Sequence, residues 1–181
     1  VGGLGSDILY GNAGTDSLDG GDGNDILTSD FSDDQAAVFP GGEGIDSLRS
    51  DGDAVAVDWV LTDLSLLENI SGSNQADTID GSAVTNTAMT ISARGGNDTV
   101  WGGELNDTIN GGSNDDTIYG MAGADLIRGD AGNDSLFGNN PANDDDDARD
   151  RFFGGAGTND VATGFNLGQA VPALRDTIDA T

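Results

Sequence analysis

The 181-residue chain has no cysteine, no histidine and no lysine, and all six of its basic residues are arginine. Those absences remove the usual zinc ligands, thiol nucleophiles, Schiff-base lysines and the commonest general base. Without cysteine there is no disulfide, which leaves the compartment open. No apolar run approaches the roughly 20 residues that a membrane-spanning helix needs. No amino-terminal signal peptide is read, and the chain opens on Val1 inside a repeat, as a fragment or processed product would. A net charge of −27 makes nucleic acid and anionic membrane poor partners.

What the chain has in excess is aspartate, which supplies 30 of its 33 acidic residues. A generic acidic surface would mix glutamate with aspartate, so the shorter carboxylate points to turn ligands rather than to solvation. Self-repulsion and scarce apolar surface should keep the chain expanded unless a cation compensates.

Residues 93–138 carry one nine-residue unit five times without a gap: ARGGNDTVW, GGELNDTIN, GGSNDDTIY, GMAGADLIR and GDAGNDSLF, closed by Gly138. Aspartate fills the sixth position at Asp98, Asp107, Asp116, Asp125 and Asp134. An aliphatic residue fills the eighth, at Val100, Ile109, Ile118, Ile127 and Leu136. Six residues rich in Gly, Asn and Asp suit a tight turn, and the next three are β-formers with one aliphatic side chain. Turn plus short strand, repeated, winds into a coil of two units, and stacked coils bury the aliphatic column. Aspartates two units apart then lie one above the other. Stacked carboxylates repel unless a cation lies between them, and Ca²⁺ takes six to eight oxygens from carboxylates and carbonyls.

GGLGSDILY from Gly2 and GGDGNDILT from Gly20 complete the pattern Gly-Gly-x-Gly-x-Asp-x-U-x, with U a large apolar residue. On these units the chain resembles the RTX, or haemolysin-type calcium-binding, family. The resemblance implies an all-β, right-handed parallel β-roll or β-helix with several Ca²⁺ ions in its turns. It implies that the turn aspartates Asp7, Asp16, Asp25, Asp34, Asp46, Asp77, Asp98, Asp107, Asp116, Asp125 and Asp134 ligate. It also brings in backbone carbonyls of the first four turn positions, represented by Gly3, Gly5, Gly21, Gly23, Gly112, Gly123 and Gly132.

In chain order, residues 1–49 form a first array with Asp7, Asp16, Asp25, a degenerate unit keeping Asp34, and Asp46. Residues 50–92 read as degenerate, metal-poor coils. A helix over Leu64–Asn69 competes there with a continuous coil, which the nine-residue phase of Leu61, Ile70 and Ile79 favours. Asp77 returns to the pattern, and the long turn after Gly81 puts Met89 in the aspartate position. The main array follows over 93–138, where Leu105 and Asn114 replace the fourth-position glycine and imply strained or differently shaped turns. Residues 139–153 interrupt the period with Asp144–Asp147, read as a solvated loop or as a peripheral calcium site, and Asp150 and Phe152 resume the phase. Residues 154–181 hold a last near-unit, with Asn159 in the aspartate position and Asp160 one place late, and a tail that caps the array. About ten coils rising roughly 4.8 Å each would make a rod of about 50 Å.

Paired carboxylates on a coil could in principle hydrolyse glycosides, but each phased aspartate already has a ligand role, so no enzyme is expected. Two readings remain. One is the calcium-folded module of a secreted or cell-surface bacterial protein, which the family resemblance ties to type I secretion and to folding outside the cell. The other is a structural segment of a surface layer, adhesin or filament. Besides calcium, the partners expected are neighbouring domains of a larger polypeptide or like subunits.

Overall fold

A three-residue strand with one inward side chain can bury it only against copies above, below and across the coil. In the computed structural model, which describes residues 1–12, 16–29, 39–52, 54–63, 65–139, 150–157 and 159–163, the chain does this by winding a solenoid. Among the described residues every strand pairing is parallel and there is no helix. The long sheet stacks eight strands, from Ile8–Tyr10 at one edge to Arg151–Ala156 at the other. A second sheet stacks six, from Asp58–Thr62 to Val161–Thr163. A short third sheet joins the first turns through Gly3–Leu4, Gly21–Asp22 and Gly42–Glu43.

The core is built around two columns of side chains, with further apolar residues such as Phe39, Leu67, Val84 and Met89 packed beside them. Leu9, Leu27, Leu48, Ile70, Ile91, Ile109, Ile127 and Phe152 stand in register along the long sheet. Trp59, Ile79, Val100, Ile118, Leu136 and Ala162 do so along the other. All of these except Leu9 and Ala162, which are only partly covered, are fully buried. Each such side chain contributes about 1.5–3 kcal/mol of burial. Outward from the six-stranded sheet, Trp101, Tyr119 and Phe137 stack with ring centroids 5.5 and 4.7 Å apart.

Two expectations need correction. Six coils place a strand in both sheets and two more reach only the long sheet among the described residues, fewer than the ten expected. The coil is 18 residues only where the array is regular; aspartate-position contacts span 21, 22 and 25 residues where segments are inserted. The column beside Ile79 is entered by Trp59, not Leu61, because that coil is 20 residues long and its register slips between Val60 and Thr62. Leu61 is buried all the same. No helix forms over the described residues 65–69, and Ile70 joins the long sheet between Leu48 and Ile91. Asp34, the acidic run Asp144–Asp147 and the tail beyond Thr163 lie outside the described residues.

Candidate metal centre

The sixth-position aspartates form two ladders. Within each, one carboxylate oxygen accepts the backbone N–H of the equivalent residue on the preceding coil. On the edge leading into the long sheet, Asp25 accepts from Asp7 at 2.7 Å and Asp46 from Asp25 at 2.7 Å. Further along, Asp107 accepts from Met89, Asp125 from Asp107 and Asp150 from Asp125, at 2.7 to 2.9 Å. On the edge leading into the six-stranded sheet, Asp98 accepts from Asp77, Asp116 from Asp98 and Asp134 from Asp116, at 2.8 to 3.0 Å. The expected two-unit stacking is therefore present as a hydrogen-bonded column.

The second carboxylate oxygen turns inward beneath the first glycine of its own turn. A Cβ on Gly2 would lie 2.6 Å from Asp7 Oδ2, and one on Gly41 2.7 Å from Asp46 Oδ2. The first glycine is thus demanded by the aspartate's volume. The second and fourth positions are demanded by backbone shape, since both take left-handed φ angles, as Gly3 and Gly5 do at 114° and 95°. Gly21, Gly23, Gly112, Gly123 and Gly132 share that conformation. Asn114 takes the fourth-position role at φ 79°, which asparagine tolerates better than most residues.

Burial makes these carboxylates chemically unusual. Asp25, Asp46, Asp98, Asp116 and Asp134 are almost fully buried. Among the described residues, the inward oxygens of Asp7, Asp25, Asp46, Asp98, Asp116 and Asp134 have no hydrogen-bond partner. Loss of water pushes Asp116 up to about 7; the Asp98 amide opposes this, and the charges of Asp98, Asp134 and Asp115 add to it. Loss of water likewise pushes Asp98 up to about 6, against its bond from Asp77. Asp46 and Asp134 are raised for the same leading reason. A buried, orphaned anionic oxygen is costly unless a cation meets it. No three acidic side chains converge among the described residues, so an ion here must draw on backbone carbonyls as well. A hard, oxygen-seeking cation of flexible coordination, such as Ca²⁺, fits that donor set.

Two aspartates differ. Asp77 receives the Ser73 N–H on Oδ2 at 2.6 Å and the Ser73 hydroxyl on Oδ1 at 2.7 Å. Asp107 receives the Gly103 N–H on Oδ2 at 2.6 Å. Burial raises both, opposed by these bonds and, for Asp77, by the charge of Arg94.

The other expected positions can be placed as follows. Asp16 is half-buried just before the bridge residue Ser17, and Asp34, with which the 18-residue spacing pairs it, lies outside the described residues. Met89 does occupy the aspartate position, and Val57 occupies it on the coil before Asp77. Sequence reasoning missed Glu68, whose Oε2 accepts the Asp46 N–H at 2.7 Å in the manner of a repeat aspartate. Its turn has no glycine, and only its place two residues before the phased Ile70 hints at it. The last near-unit needs correction: Asp160, not Asn159, holds the position, accepting from Asp134 at 3.2 Å, because that turn is one residue longer.

The family model of the RTX calcium-binding nonapeptide repeat matches the chain in four copies, over residues 1–36, 90–109 and 110–140. No curated protein matches the chain.

Proposed function

From its membership of the RTX calcium-binding nonapeptide-repeat family, we propose that this chain is a calcium-binding β-roll module of a secreted or cell-surface bacterial protein, folding as it binds calcium outside the cell. The repeat of this family is a structural calcium-binding element rather than a catalytic one. The observation that carries the reading is the column of buried aspartate oxygens, at Asp25, Asp46, Asp98, Asp116 and Asp134, that find no partner among the described residues. These residues would hold the ions together with carbonyls of the left-handed turn positions. Bound calcium supplies the positive charge that lets the carboxylates stack while ionised. The chain's own part is to place one oxygen of each aspartate on the neighbouring coil's amide. That bond holds the carboxylate in the turn and leaves its other oxygen for the metal.

Energetics supports this location. A chain of net charge −27 resists collapse at low calcium. Ligation that exists only in the folded coil adds stability in proportion to the logarithm of calcium concentration. Extracellular calcium sites work at roughly 10⁻⁴–10⁻³ M, so such a chain stays open in a calcium-poor cytoplasm and closes outside. The test is a calcium titration of the purified chain followed by far-ultraviolet circular dichroism, with native mass spectrometry to count ions. A β-spectrum that appears with calcium, together with bound ions, is the expected result. A chain that keeps its β-spectrum and thermal transition in chelator would defeat the reading.

A further inference from the structure

We infer that the turns ending in Asp77 and Asp107 supply no ligand to calcium, although both aspartates stand in the repeat's acidic position. The inference rests on the calcium reading above and sharpens it, because turn conformation rather than the motif decides which aspartates face a metal.

The contrast is between two kinds of turn. In the open kind, the second and fourth residues are left-handed, as at Gly21 and Gly23, Gly42 and Gly44, Arg94 and Gly96, Gly112 and Asn114, and Asp130 and Gly132. The aspartates that follow these turns, Asp25, Asp46, Asp98, Asp116 and Asp134, keep an inward oxygen that no group among the described residues satisfies. In the closed kind, neither position is left-handed. Ser73 and Gln75 precede Asp77, Gly103 and Leu105 precede Asp107, and none of the four has a positive φ. The second-position N–H then points into the turn and bonds the aspartate's inward oxygen at 2.6 Å in both cases. That oxygen has been taken by an amide.

Asp77 is compensated further. Its outer oxygen accepts both the Ser73 hydroxyl at 2.7 Å and the Val57 N–H at 2.8 Å. The Arg94 guanidinium from the next coil reaches the Gly72 carbonyl at 3.2 Å, the first carbonyl of this turn. A fixed positive charge thus engages one of the backbone oxygens that an ion would need. Among the described residues no arginine takes that role for Asp107, but its outer oxygen accepts from Met89, which cannot ligate a hard cation as a carboxylate does. A carboxylate satisfied at both oxygens gains little from a cation, whereas one with an orphaned buried oxygen gains much.

The fourth residue governs the difference. Glycine, or the tolerant Asn114, accepts a left-handed φ, and Leu105 in its place leaves the turn closed although Gly103 is free to adopt it. The experiment uses the full chain with calcium alone, counting ions by native mass spectrometry and following the calcium midpoint by circular dichroism. Asp77→Asn and Asp107→Asn should keep the wild-type ion count, with midpoints within about twofold. Asp116→Asn should lose ions and shift the midpoint by roughly tenfold or more, as loss of a charged ligand does. Leu105→Gly, at an exposed site, should gain at least one ion. Loss of ions in Asp77→Asn or Asp107→Asn comparable with that in Asp116→Asn would overturn the inference and leave the calcium reading standing. If those asparagine variants do not fold, Leu105→Gly decides alone, and an unchanged ion count overturns the inference. A wild-type chain that takes no calcium removes the reading and the inference together.

Discussion

Asp116 is the residue on which the physics of the repeat is most concentrated. It accepts the N–H of Asp98 and donates its own to Asp134, so it belongs to two rungs. Asp7 heads its ladder and donates to Asp25 alone. Asp116→Ala should therefore raise the calcium midpoint more than Asp7→Ala, with Asp116→Asn between wild type and Asp116→Ala. Trp101 ends the strand after Asp98, and its fluorescence reports the transition. Equal midpoints for the two alanine variants would contradict the stacking. A pH effect also belongs at this scale. Asp98 and Asp116 have folded-state values pushed up to about 6 and about 7, above the ordinary value near ~3.9 of an unfolded chain. A raised folded value favours the protonated fold, so its contribution is fully present below about pH 4 and is lost as pH rises through 6 and 7. In chelator, acidification from about pH 8 to about pH 5 should thus raise the β-signal. In limiting calcium the same change should weaken binding, because protons compete for the same oxygens. Circular dichroism at the two pH values, with and without chelator, reads both effects.

At the scale of an element, a strand of three residues is held by its place in a column rather than by its own length. Ile118 is fully buried between Val100 and Leu136. Ile118→Ala should cost roughly 2–5 kcal/mol, the range for emptying such a core site. Outside the same sheet, Tyr119 stacks on both Trp101 and Phe137, while among the described residues Trp101 and Phe137 each stack on Tyr119 alone. Each aromatic pair is worth about 0.5–1.5 kcal/mol beyond its area. Tyr119→Ala should then lower the midpoint of thermal unfolding in saturating calcium further than Phe137→Ala, which loses one stack. The turns are elements too. Gly129→Ala would drive its Cβ into Asp134 Oδ2, so it should abolish that rung while sparing the coils before Leu48.

For the whole molecule, a net charge of −27 opposes collapse onto the core, so on the calcium reading packing alone should not close the coil. Chelation should leave the chain largely disordered. Mg²⁺ should not replace calcium, since it demands near-ideal octahedral geometry and dehydrates reluctantly. Circular dichroism in chelator, magnesium and calcium separates these outcomes, and a β-spectrum in magnesium equal to that in calcium would refute the donor-set argument.

The sequence by itself determined the strand, the turn, the inward column and the aspartate ladder, because each depends on residue type at a fixed spacing within 18 residues. Val100, Ile118 and Leu136 were readable as one column, and Asp98, Asp116 and Asp134 as one ladder, with no knowledge of the rest. Only the tertiary structure decided what happens where the spacing fails. Trp59 rather than Leu61 meets Ile79, because register between coils is set by which side chains fill the core and not by counting. Glu68 substitutes for an aspartate because its longer side chain still reaches the Asp46 amide. Asp160 displaces Asn159 because a turn can take up one more residue without moving its strand. Which carboxylate oxygens are left without a partner is likewise decided in three dimensions. Leu105 already implied a differently shaped turn, but that the Gly103 amide there bonds Asp107, as the Ser73 amide bonds Asp77, depends on φ angles that only the folded coil sets.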